Sequence, residues 1–561
     1  MKELRFNWRH ELSASPDALW PLVADTDRFN RDTGLPPLEV LGTEANARRR
    51  LRLRLLGLPI EWEEEPFEWV RPYKFGVLRR YTRGPVAEMR IEARLEERIQ
   101  GGTSLEYDVR ARPRNLLGIL AAAVQIGFVS RRRFARAFED YNRLATTAEP
   151  ARPARLEPGG AERLQAGAQR LRGEGLDPAA VDALVRLLER GDEQELARMR
   201  PYVLAEAWGT GRRESLELLL HATRAGLTEL RWELLCPSCG GAAATAATLR
   251  ELDPGVHCET CGIDFATELD RSVEITFAPS ASVRAVDRRE FCVGGPQLSP
   301  HVVAQQLLGP AEERRLTLPL RPGAYRVRAL GDTGGETFET SGGETIVTLA
   351  NDAGSERLLR LERTEWRDRA ATAAEVTSLQ TFRDLFSTEV LRPGEPVSVG
   401  TLTVLFTDLR DSTRYYREVG DAPAFGSVMQ HLDVLRDAVA AEGGAVVKAM
   451  GDAIMAVFTR PAAAVRAGLA AQRAVAGRPL ELKVGLHTGP CIAITQNGAL
   501  DYFGSTVNLA ARLVSLSTGA DVVVSGDVLA DPEVAELELR REPLEASLKG
   551  FDESLELWRV R

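Results

Sequence analysis

Two aspartates near the C-terminus, Asp408 and Asp452, each follow a run of apolar residues that indicates a β-strand. A buried strand fixes the position of a carboxylate at its end, and carboxylate oxygens are the ligands that Mg²⁺ and Mn²⁺ prefer. Each aspartate also has an ordinary explanation, a helix N-cap for Asp408 and a turn for Asp452. Neither explanation covers both aspartates together with the polar residues that follow at fixed spacing.

Four further polar residues accompany the aspartates. Lys448 precedes Asp452 by four residues, and Asp501 precedes Asn508 by seven. Lysine is rare in this chain, 5 of 72 basic residues, which makes a lysine inside a motif informative. Asn508 and Arg512 are four residues apart, so they share one face of a helix that is otherwise apolar. A solvated helix face is the ordinary alternative for this last pair.

Three segments carry these residues, 406–413, 448–452 and 501–512. Together they resemble the catalytic set of class III nucleotidyl cyclases. The resemblance covers nearly all of residues 398–561 and implies a ferredoxin-like domain. It also implies a reaction in which the ribose 3′-hydroxyl of a nucleoside triphosphate attacks the α-phosphorus and pyrophosphate leaves. Two divalent ions, Mg²⁺ or Mn²⁺, assist such a displacement by activating the hydroxyl and neutralising the leaving group.

The resemblance assigns the metal and phosphate ligands. Asp408, Asp452 and the Leu409 carbonyl are the expected metal ligands. The N–H groups at the start of the next helix, including Ser412 and Thr413, are expected to bind the triphosphate, because helix N-termini attract anions. Many relatives have glycine where this chain has Asp411, which we expect to cap the helix. Lys549 resembles a lysine that contacts the β- and γ-phosphates, with a surface turn as the alternative.

Base choice follows from hydrogen bonding. Adenine N1 accepts and its N6 amine donates, so a cationic donor and a carboxylate match it, and Lys448 and Asp501 occupy the adenine-selecting positions of the family. Guanine has the opposite polarity, and two buried mismatches of about 1–3 kcal/mol each give at least about tenfold discrimination. The substrate is therefore expected to be ATP.

The resemblance also assigns the two polar residues of the last helix and predicts the assembly. Asn508 orients the ribose, and Arg512 stabilises the charge that develops on the α-phosphate. In the family these two residues come from the subunit opposite to the metal aspartates. The chain carries both sets, which implies a homodimer with two composite sites.

Cys236, Cys239, Cys258 and Cys261 form two Cys-x2-Cys pairs that are separated by 18 residues. This spacing is typical of a zinc ribbon, since four thiolates complete a tetrahedron around Zn²⁺ and leave no open position for catalysis. The ion is therefore expected to be structural. Paired cysteines of this kind also favour a reducing cytoplasm over a disulfide framework.

The 561 residues are too many for one hydrophobic core. The N-terminal order of strand, helix, strands and long helix resembles START-like, helix-grip domains related to polyketide cyclases and lipid-binding proteins. An apolar ligand in that domain is one hypothesis, and a packed scaffold is the other. The predicted fold is multidomain α+β: a START-like helix-grip domain over 1–148, a small helical module over 161–232, a zinc ribbon with a β-sandwich over 233–365, a connecting dimer helix over 366–397 and the cyclase domain over 398–561.

Two apolar stretches lead to specific expectations. The run Leu116 to Val129 is about 14 residues long, short of the roughly 20 that a spanning helix needs, so it is expected to be a buried helix, with a membrane-surface contact as the alternative. Trp366 to Leu391 is expected to be one helix whose apolar stripe either packs on a neighbour or joins two protomers.

The net charge of −9 argues against binding to nucleic acid. The N-terminus lacks a signal-peptide pattern, and no run is long enough to span a membrane, so a cytoplasmic location is expected. The predicted function is an adenylate cyclase with N-terminal regulatory or sensor domains. The alternative is a degenerate cyclase domain that binds nucleotide and acts as a regulatory interaction module. A zinc-ribbon transcription regulator would need basic patches that are absent from the sequence.

Overall fold

A computed structural model describes most of the chain. The described residues are 2–55, 57–147, 156–258, 261–287, 289–332, 334–364, 369–478, 480–546, 548 and 555–561. Among them, no helix has both the length and the apolar character that crossing a membrane requires.

The N-terminal unit has the order of elements that the sequence predicted. The hydroxyl of Ser15 accepts a hydrogen bond from the Ala18 N–H and starts the first helix, whose first residue is Pro16. The long helix α4 packs on the sheet, so the START-like resemblance stays a prediction consistent with this order. The elements are β1 (Leu4–Leu12), α1 (Pro16–Val23), α2 (Thr26–Asp32), β2 (Leu38–Glu44), β3 (Arg48–Leu55), β4 (Leu58–Glu64), β5 (Glu68–Val70), β6 (Lys74–Arg83), β7 (Val86–Glu97), β8 (Thr103–Pro113), α3 (Leu116–Ala122), a π-helix (Ala123–Ser130) and α4 (Arg131–Thr147).

Aromatic rings fill the space between this sheet and α4. Phe29 lies 4.8 Å from Phe134 and 5.4 Å from Phe138, between ring centroids, and Tyr107 lies 5.2 Å from Phe134. Rings at such separations are in direct contact. This packing favours the scaffold alternative over an apolar ligand at this place.

The apolar run that begins at Leu116 is helical, but the prediction that it is buried is wrong. Leu116, Leu120, Val124 and Phe128 are all exposed. An apolar run indicates an element that packs against another apolar surface. It does not show whether that surface belongs to the same chain.

The middle of the chain holds a helical module and three small sheets. Residues 160–224 contain five helices, whereas 228–232, the end of the helical module predicted over 161–232, belong to strand β9. The elements are α5 (Gly160–Gly173), α6 (Pro178–Arg190), α7 (Glu193–Ala197), α8 (Pro201–Trp208), α9 (Arg212–Arg224), β9 (Thr228–Leu235), β10 (Ala242–Ala246), β11 (Gly255–Cys258), β12 (Ile263–Ala266), β13 (Val273–Pro279), β14 (Val302–Leu308), β15 (Glu313–Leu320), β16 (Gly323–Ala329), β17 (Glu336–Thr340), β18 (Gly343–Ala350) and β19 (Arg357–Arg363).

The strands of the expected β-sandwich do not form a separate domain. β14 pairs with β5, so one twelve-stranded sheet runs from the N-terminal unit into β14, β19, β16 and β17. β15 and β18 form a second layer, and the core between the layers includes Leu318, Tyr325 and Leu349. The sequence analysis assigned β5 and β14 to different domains. It could not predict their pairing, because strands more than 200 residues apart leave no local signal of their contact.

The predicted helix from Trp366 to Leu391 is interrupted. Residues 369–391 contain two short helices, α10 (Ala373–Thr377) and α11 (Gln380–Leu385), separated by an extended Leu379. The hydroxyls of Thr377 and Ser378 donate to the carbonyls of Ala373 and Glu375 at 2.7 Å each. Such bonds compete with helix continuation, so a long dimer helix does not form here.

The C-terminal domain is a mixed sheet with helices on its surface. The strand order is β21-β22-β20-β23-β25-β27-β26, with β24 paired to β23, and β23 and β25 are parallel. The elements are β20 (Val397–Leu409), α12 (Ser412–Val419), α13 (Asp421–Ala441), β21 (Ala445–Met450), β22 (Ala453–Phe458), α14 (Pro461–Val475), β23 (Leu482–Gln496), β24 (Ala499–Phe503), α15 (Ser505–Leu513), β25 (Val522–Ser525), α16 (Gly526–Leu529), α17 (Pro532–Ala535), β26 (Arg541–Leu544) and β27 (Leu557–Val560).

Two tight turns join neighbouring strands of this domain. Gly451 and Asp452 form the turn between β21 and β22. Asn497 and Gly498 join β23 to β24, with φ of 52° and 74°. Two positive φ values match the twist of a two-residue hairpin, which explains the Asn-Gly pair.

Candidate active site

Asp408 stands at the end of β20, next to the buried Leu409. The register of the sheet places Lys483 of β23 opposite Asp408, and the Lys483 Nζ is 3.8 Å from the Asp408 Oδ2. The Leu409 side chain belongs to the core of the domain and fixes the backbone at this point. The carboxylate is therefore held by a rigid strand and is half-exposed.

Asp452 follows Gly451 in the β21–β22 turn, where Gly451 has a φ of 70°. The Ile454 N–H donates to the Thr407 hydroxyl at 3.1 Å, which ties this turn to the end of β20. Among the described residues, the Asp452 Oδ2 is buried and has no hydrogen-bond partner. A buried carboxylate oxygen without a partner is costly, so this atom is suited to a ligand.

The two aspartates influence each other electrostatically. Burial raises the pKa of Asp408, the negative charge of Asp452 raises it further, and the Lys483 ammonium opposes both effects. Two carboxylates close enough to repel, one with an unpartnered oxygen, fit hard divalent cations such as Mg²⁺ or Mn²⁺. Asp408, Asp452 and the Leu409 carbonyl would hold them.

Helix α12 begins directly after these ligands. Ser412 is half-buried and Thr413 is exposed in its first turn, where backbone N–H groups have no partner within the helix. Asp411 has a φ of 57°, and its side chain makes no capping hydrogen bond, so the expectation that it caps α12 is wrong. A positive φ at this residue is the physical reason that glycine suits the position. Lys549 lies outside the described residues.

Lys448 and Asp501 come together from β21 and β24. The Lys448 Nζ is 2.6 Å from the Asp501 Oδ2, with the lysine side chain 37% exposed and the aspartate 8% exposed. The Asp501 Oδ1 accepts a hydrogen bond from the Tyr502 N–H at 2.8 Å. The contact holds a cationic donor and a carboxylate acceptor side by side, as a reader of the adenine edge requires.

Asn508 and Arg512 lie on the outer face of α15. Both are exposed, while Leu509, Ala510 and Leu513 on the other face are buried. The helix is therefore anchored by its apolar side and presents an amide and a guanidinium outward. Both side chains therefore lie on the outer surface of the domain.

Sequence reasoning missed how α10 and α11 contact the strands with the Lys448–Asp501 pair. Arg383 donates to the Leu500 carbonyl at 3.0 Å, and its guanidinium lies 5.3 Å from the centre of the Tyr502 ring. The Tyr502 hydroxyl donates to the Thr377 hydroxyl at 3.0 Å. The two neighbours of Asp501 in the chain are thus both held by this segment.

The segment is also attached to the helical module and the small sheet upstream. Glu375 contacts the Tyr202 hydroxyl, and the Phe382 ring lies 5.8 Å from the Trp232 ring, edge to face. A continuous path of packed side chains therefore leads from the middle of the chain to Asp501. Lys483 was the other residue missed; the apolar alternation of its strand predicts only that its side chain lies on the sheet face opposite to Leu482 and Val484, and the register with β20 is what places it beside Asp408.

The four predicted zinc cysteines are brought together in the structure. Their sulfur atoms all lie within 4.8 Å of one another, and Cys239 and Cys258 are 3.8 Å apart. A tetrahedron with Zn–S bonds of about 2.3 Å has edges of about 3.8 Å, so the cluster fits a structural Zn²⁺. The Arg328 guanidinium donates to the Ser238 carbonyl at 2.9 Å, which joins one cysteine loop to the large sheet.

Comparison with known proteins separates two parts of the chain. Residues 395–556 match the family described as adenylate and guanylate cyclase catalytic domain. The C-terminal domain is a nucleotidyl cyclase catalytic domain. Residues 164–292, which include the helical module and the cysteines, match a family of unknown function.

Individual relatives match a stretch of this chain about as long as the C-terminal domain. An uncharacterized protein of Mycobacterium tuberculosis is 34% identical over 165 residues, which is 28% of this chain and 41% of that protein. Adenylate cyclase 1 of Rhizobium meliloti is 27% identical over 183 residues, 28% of this chain and 27% of that protein. The chain thus spans less than half of the length of either relative. The crystal structure of the adenylyl cyclase CyaB from P. aeruginosa is 24% identical, with a TM-score of 0.27, over 30% of this chain and 96% of that one.

Proposed function

We propose that the protein is an adenylate cyclase that converts ATP to 3′,5′-cyclic AMP and pyrophosphate at a homodimer interface. The observation that carries the proposal is the assembly of two functional pairs on one sheet of a cyclase domain. Asp408 and Asp452 form an acidic pair at one strand end, and Lys448 of β21 and Asp501 of β24 form an ion pair.

Paired divalent cations bound to Asp408, Asp452 and the Leu409 carbonyl would supply the chemistry that activates the 3′-hydroxyl and neutralises the leaving pyrophosphate. The chain itself contributes position and charge. The N–H groups at the start of α12 bind phosphate oxygens, since a helix N-terminus attracts anions. Lys483 adds a positive charge beside Asp408 and opposes the rise in the pKa of this carboxyl that burial and Asp452 cause.

Adenine selection rests on the Lys448–Asp501 pair. When the base enters, the lysine donates to adenine N1 and the aspartate accepts from the N6 amine. The contact between the two side chains opens and is replaced by two contacts of the same polarity. Guanine would oppose a donor to a donor and an acceptor to an acceptor, and each buried mismatch costs about 1–3 kcal/mol.

A second protomer supplies the remaining groups. Asn508 and Arg512 point outward from α15, where they reach the substrate held by the metal-binding residues of a partner. Arg512 then stabilises the charge that grows on the α-phosphate, an electrostatic effect that is often the largest single contribution to catalysis.

Apolar side chains of the same domain are consistent with pairing. Phe425 and Met429 on α13, Met450 at the end of β21 and Phe503 at the end of β24 are all exposed. Exposed large apolar side chains are suited to contact with another protein. A second copy of the domain is the partner that the composite site requires.

Complementation between two inactive variants tests this arrangement. Asp408→Ala removes a metal ligand, and Arg512→Ala removes the guanidinium, so each homodimer should be inactive. A mixture should regain activity, because each heterodimer restores one complete site. Recovery close to one quarter of the wild-type rate is expected for free exchange of subunits. An inactive mixture with heterodimers demonstrated by native mass spectrometry would contradict the composite site.

The alternative of a degenerate, nucleotide-binding module is tested by the same preparation. A module of that kind would bind ATP without forming product, and the wild-type protein would be as inactive as Asp408→Ala. Lys74→Ala, an exposed change in the N-terminal unit, serves as the control and should leave turnover unchanged.

A further inference from the structure

An apolar stripe on the N-terminal unit faces outward. Leu116, Leu120, Val124 and Phe128, each four residues after the last, are 80%, 64%, 51% and 60% exposed. The first two lie on α3 and the last two on the π-helix that follows. Isolated exposed apolar residues are common, but a continuous row of four large ones marks a contact surface.

The helix that carries the stripe is firmly seated. The Asn115 Oδ1 accepts a hydrogen bond from the Gly118 N–H at 2.8 Å and caps the start of α3. A Cβ on Gly118 would come within 2.2 Å of the Pro85 carbonyl oxygen, so the helix lies in close contact with the β6–β7 turn. Ala122 is buried against Val86 and Ala111. The outward side chains are therefore presented by a fixed element.

The π-helix keeps the stripe on one side. Its hydrogen bonds join residues five apart, so side chains four and five apart lie nearly above one another. Val124 and Phe128 thus continue the row begun by Leu116 and Leu120. Single turns of π-helix occur often at functional sites, and this segment is eight residues long.

Arginines flank the stripe. Arg112 and Arg114 precede α3, and Arg131 and Arg132 follow the π-helix; all four are exposed. The Arg132 guanidinium lies 4.8 Å from the centre of the Phe128 ring. Among the described residues, Arg131 and Arg132 have no carboxylate at ion-pair distance. Arg112 is paired with Glu88 at 3.4 Å, and Arg114 donates to the Tyr81 and Val86 carbonyls. The excess of positive charge beside the apolar row therefore comes from Arg114, Arg131 and Arg132, in a protein whose net charge is −9.

A second apolar residue group lies at the same end of the sheet. β4 pairs with β6, with Glu61 opposite Arg83, so the β3–β4 hairpin extends past the end of β6 toward the turn on which α3 packs. Leu58 in that hairpin is 70% exposed, and Arg54 and Arg83 beside it are also exposed. The surface therefore extends beyond one helix.

We propose that this face, which we call the α3 face, binds the surface of an anionic lipid bilayer. The four apolar side chains enter the boundary between headgroups and acyl chains, and the flanking arginines bind the headgroup phosphates. A helix with an apolar face and basic neighbours, lying in the plane of the membrane, is the arrangement that such surfaces bind.

Charge distinguishes this occupant from a second copy of the chain. A symmetric contact of two α3 faces would bring Arg131 and Arg132 of one protomer toward the same residues of the other if the helices are parallel, or toward Arg112 and Arg114 if they are antiparallel, and like charges repel in both cases. An anionic bilayer instead offers phosphates to all of these guanidiniums at once. The inference concerns a surface far from the proposed catalytic residues and does not depend on the cyclase activity.

Vesicle flotation with the full-length protein tests the proposal. We expect the protein to float with phosphatidylcholine vesicles that contain phosphatidylglycerol, to bind vesicles of phosphatidylcholine alone at least about tenfold more weakly, and to dissociate at high salt. Leu120→Glu and Phe128→Glu should each reduce vesicle binding by about tenfold or more, because a charge replaces an apolar side chain that would enter the bilayer. Arg131→Gln with Arg132→Gln should reduce the preference for the anionic lipid.

Ile346→Glu is the matched control. Ile346 is 71% exposed on β18, away from the α3 face, and this variant should bind vesicles as the wild type does. All the substituted side chains are exposed, so folding should be unaffected, and circular dichroism checks it. The proposal fails if wild-type protein does not float with anionic vesicles or if Phe128→Glu and Ile346→Glu bind equally. A change in oligomer mass caused by Leu120→Glu, without vesicle binding by the wild type, would assign the face to a protein contact and also overturn it.

Discussion

Exchanging the base-reading pair gives the sharpest test of substrate choice. The Lys448 Nζ lies 2.6 Å from the Asp501 Oδ2, and the Asp501 side chain is only 8% exposed. Lys448→Glu alone would therefore place a second carboxylate beside a buried one. The repulsion between them would disturb β21 and β24. The variant is therefore made together with Asp501→Cys, which removes the original carboxylate.

The expected size of the effect follows from two hydrogen bonds. Each mismatch between a buried polar group and the base costs about 1–3 kcal/mol. The double variant has one mismatch with adenine at each position and loses the cationic donor entirely. The ratio of kcat/KM for ATP to that for GTP should fall by at least about tenfold, and by about a hundredfold if each mismatch costs 1.4 kcal/mol. The fall should arise mainly from ATP.

The assay measures initial rates of cyclic nucleotide formation from ATP and from GTP with the same preparation. Lys74→Glu makes the same change of charge on an exposed lysine of β6 and should leave the ratio unchanged. A folded, active double variant with the wild-type ratio would refute the assignment of Lys448 and Asp501 to base recognition.

Three other predictions concern residues that precede the C-terminal domain. Burial raises the pKa of Asp25 from 3.8 to about 6. The folded state therefore loses about 3 kcal/mol of stability as pH rises between these two values. Asp25→Asn should raise the melting temperature above pH 6 more than near pH 4, and an equal shift at both pH values would contradict this. Purified protein should contain about one zinc per chain by elemental analysis. Cys239→Ser should lose the zinc, and Cys292→Ser, a change at a buried cysteine outside the cluster, should keep it. Equal loss of zinc from both variants would refute the site. Arg383→Ala removes the hydrogen bonds to the Leu500 and Thr377 carbonyls and the cation–π contact with Tyr502, of about 1 kcal/mol each; the KM for ATP should rise several-fold with a smaller change in kcat, Arg383→Lys should partly restore it, and an unchanged KM would argue against positioning of Asp501.

The sequence predicts the elements that carry the candidate site residues, because the signals of these elements are local. Asp408 ends an apolar strand, Asp452 follows a glycine in a turn, and Asn508 and Arg512 have helical spacing. Each of these features depends on residues a few positions away. The structure places them on β20, the β21–β22 turn and α15 as these patterns indicate.

The features that the sequence did not predict are contacts between distant segments. The pairing of β5 with β14 and the approach of Arg383 to Tyr502 join residues more than 100 positions apart. The break between α10 and α11 accompanies side-chain hydroxyls that donate to backbone carbonyls, such as Thr377 to Ala373. The apolar stripe in the sequence indicates a helix but does not reveal these hydrogen bonds. The exposure of Leu116 depends on what covers the helix, and hydrophobicity alone does not reveal it.

Product analysis with the purified full-length protein tests the central claim most directly. With ATP and Mg²⁺ or Mn²⁺, we expect 3′,5′-cyclic AMP and pyrophosphate in equal amounts by mass spectrometry and phosphate analysis, and no product from Asp408→Ala. Bound but unconverted ATP in folded, dimeric wild-type protein, or the appearance of ADP in place of cyclic AMP, would contradict the account.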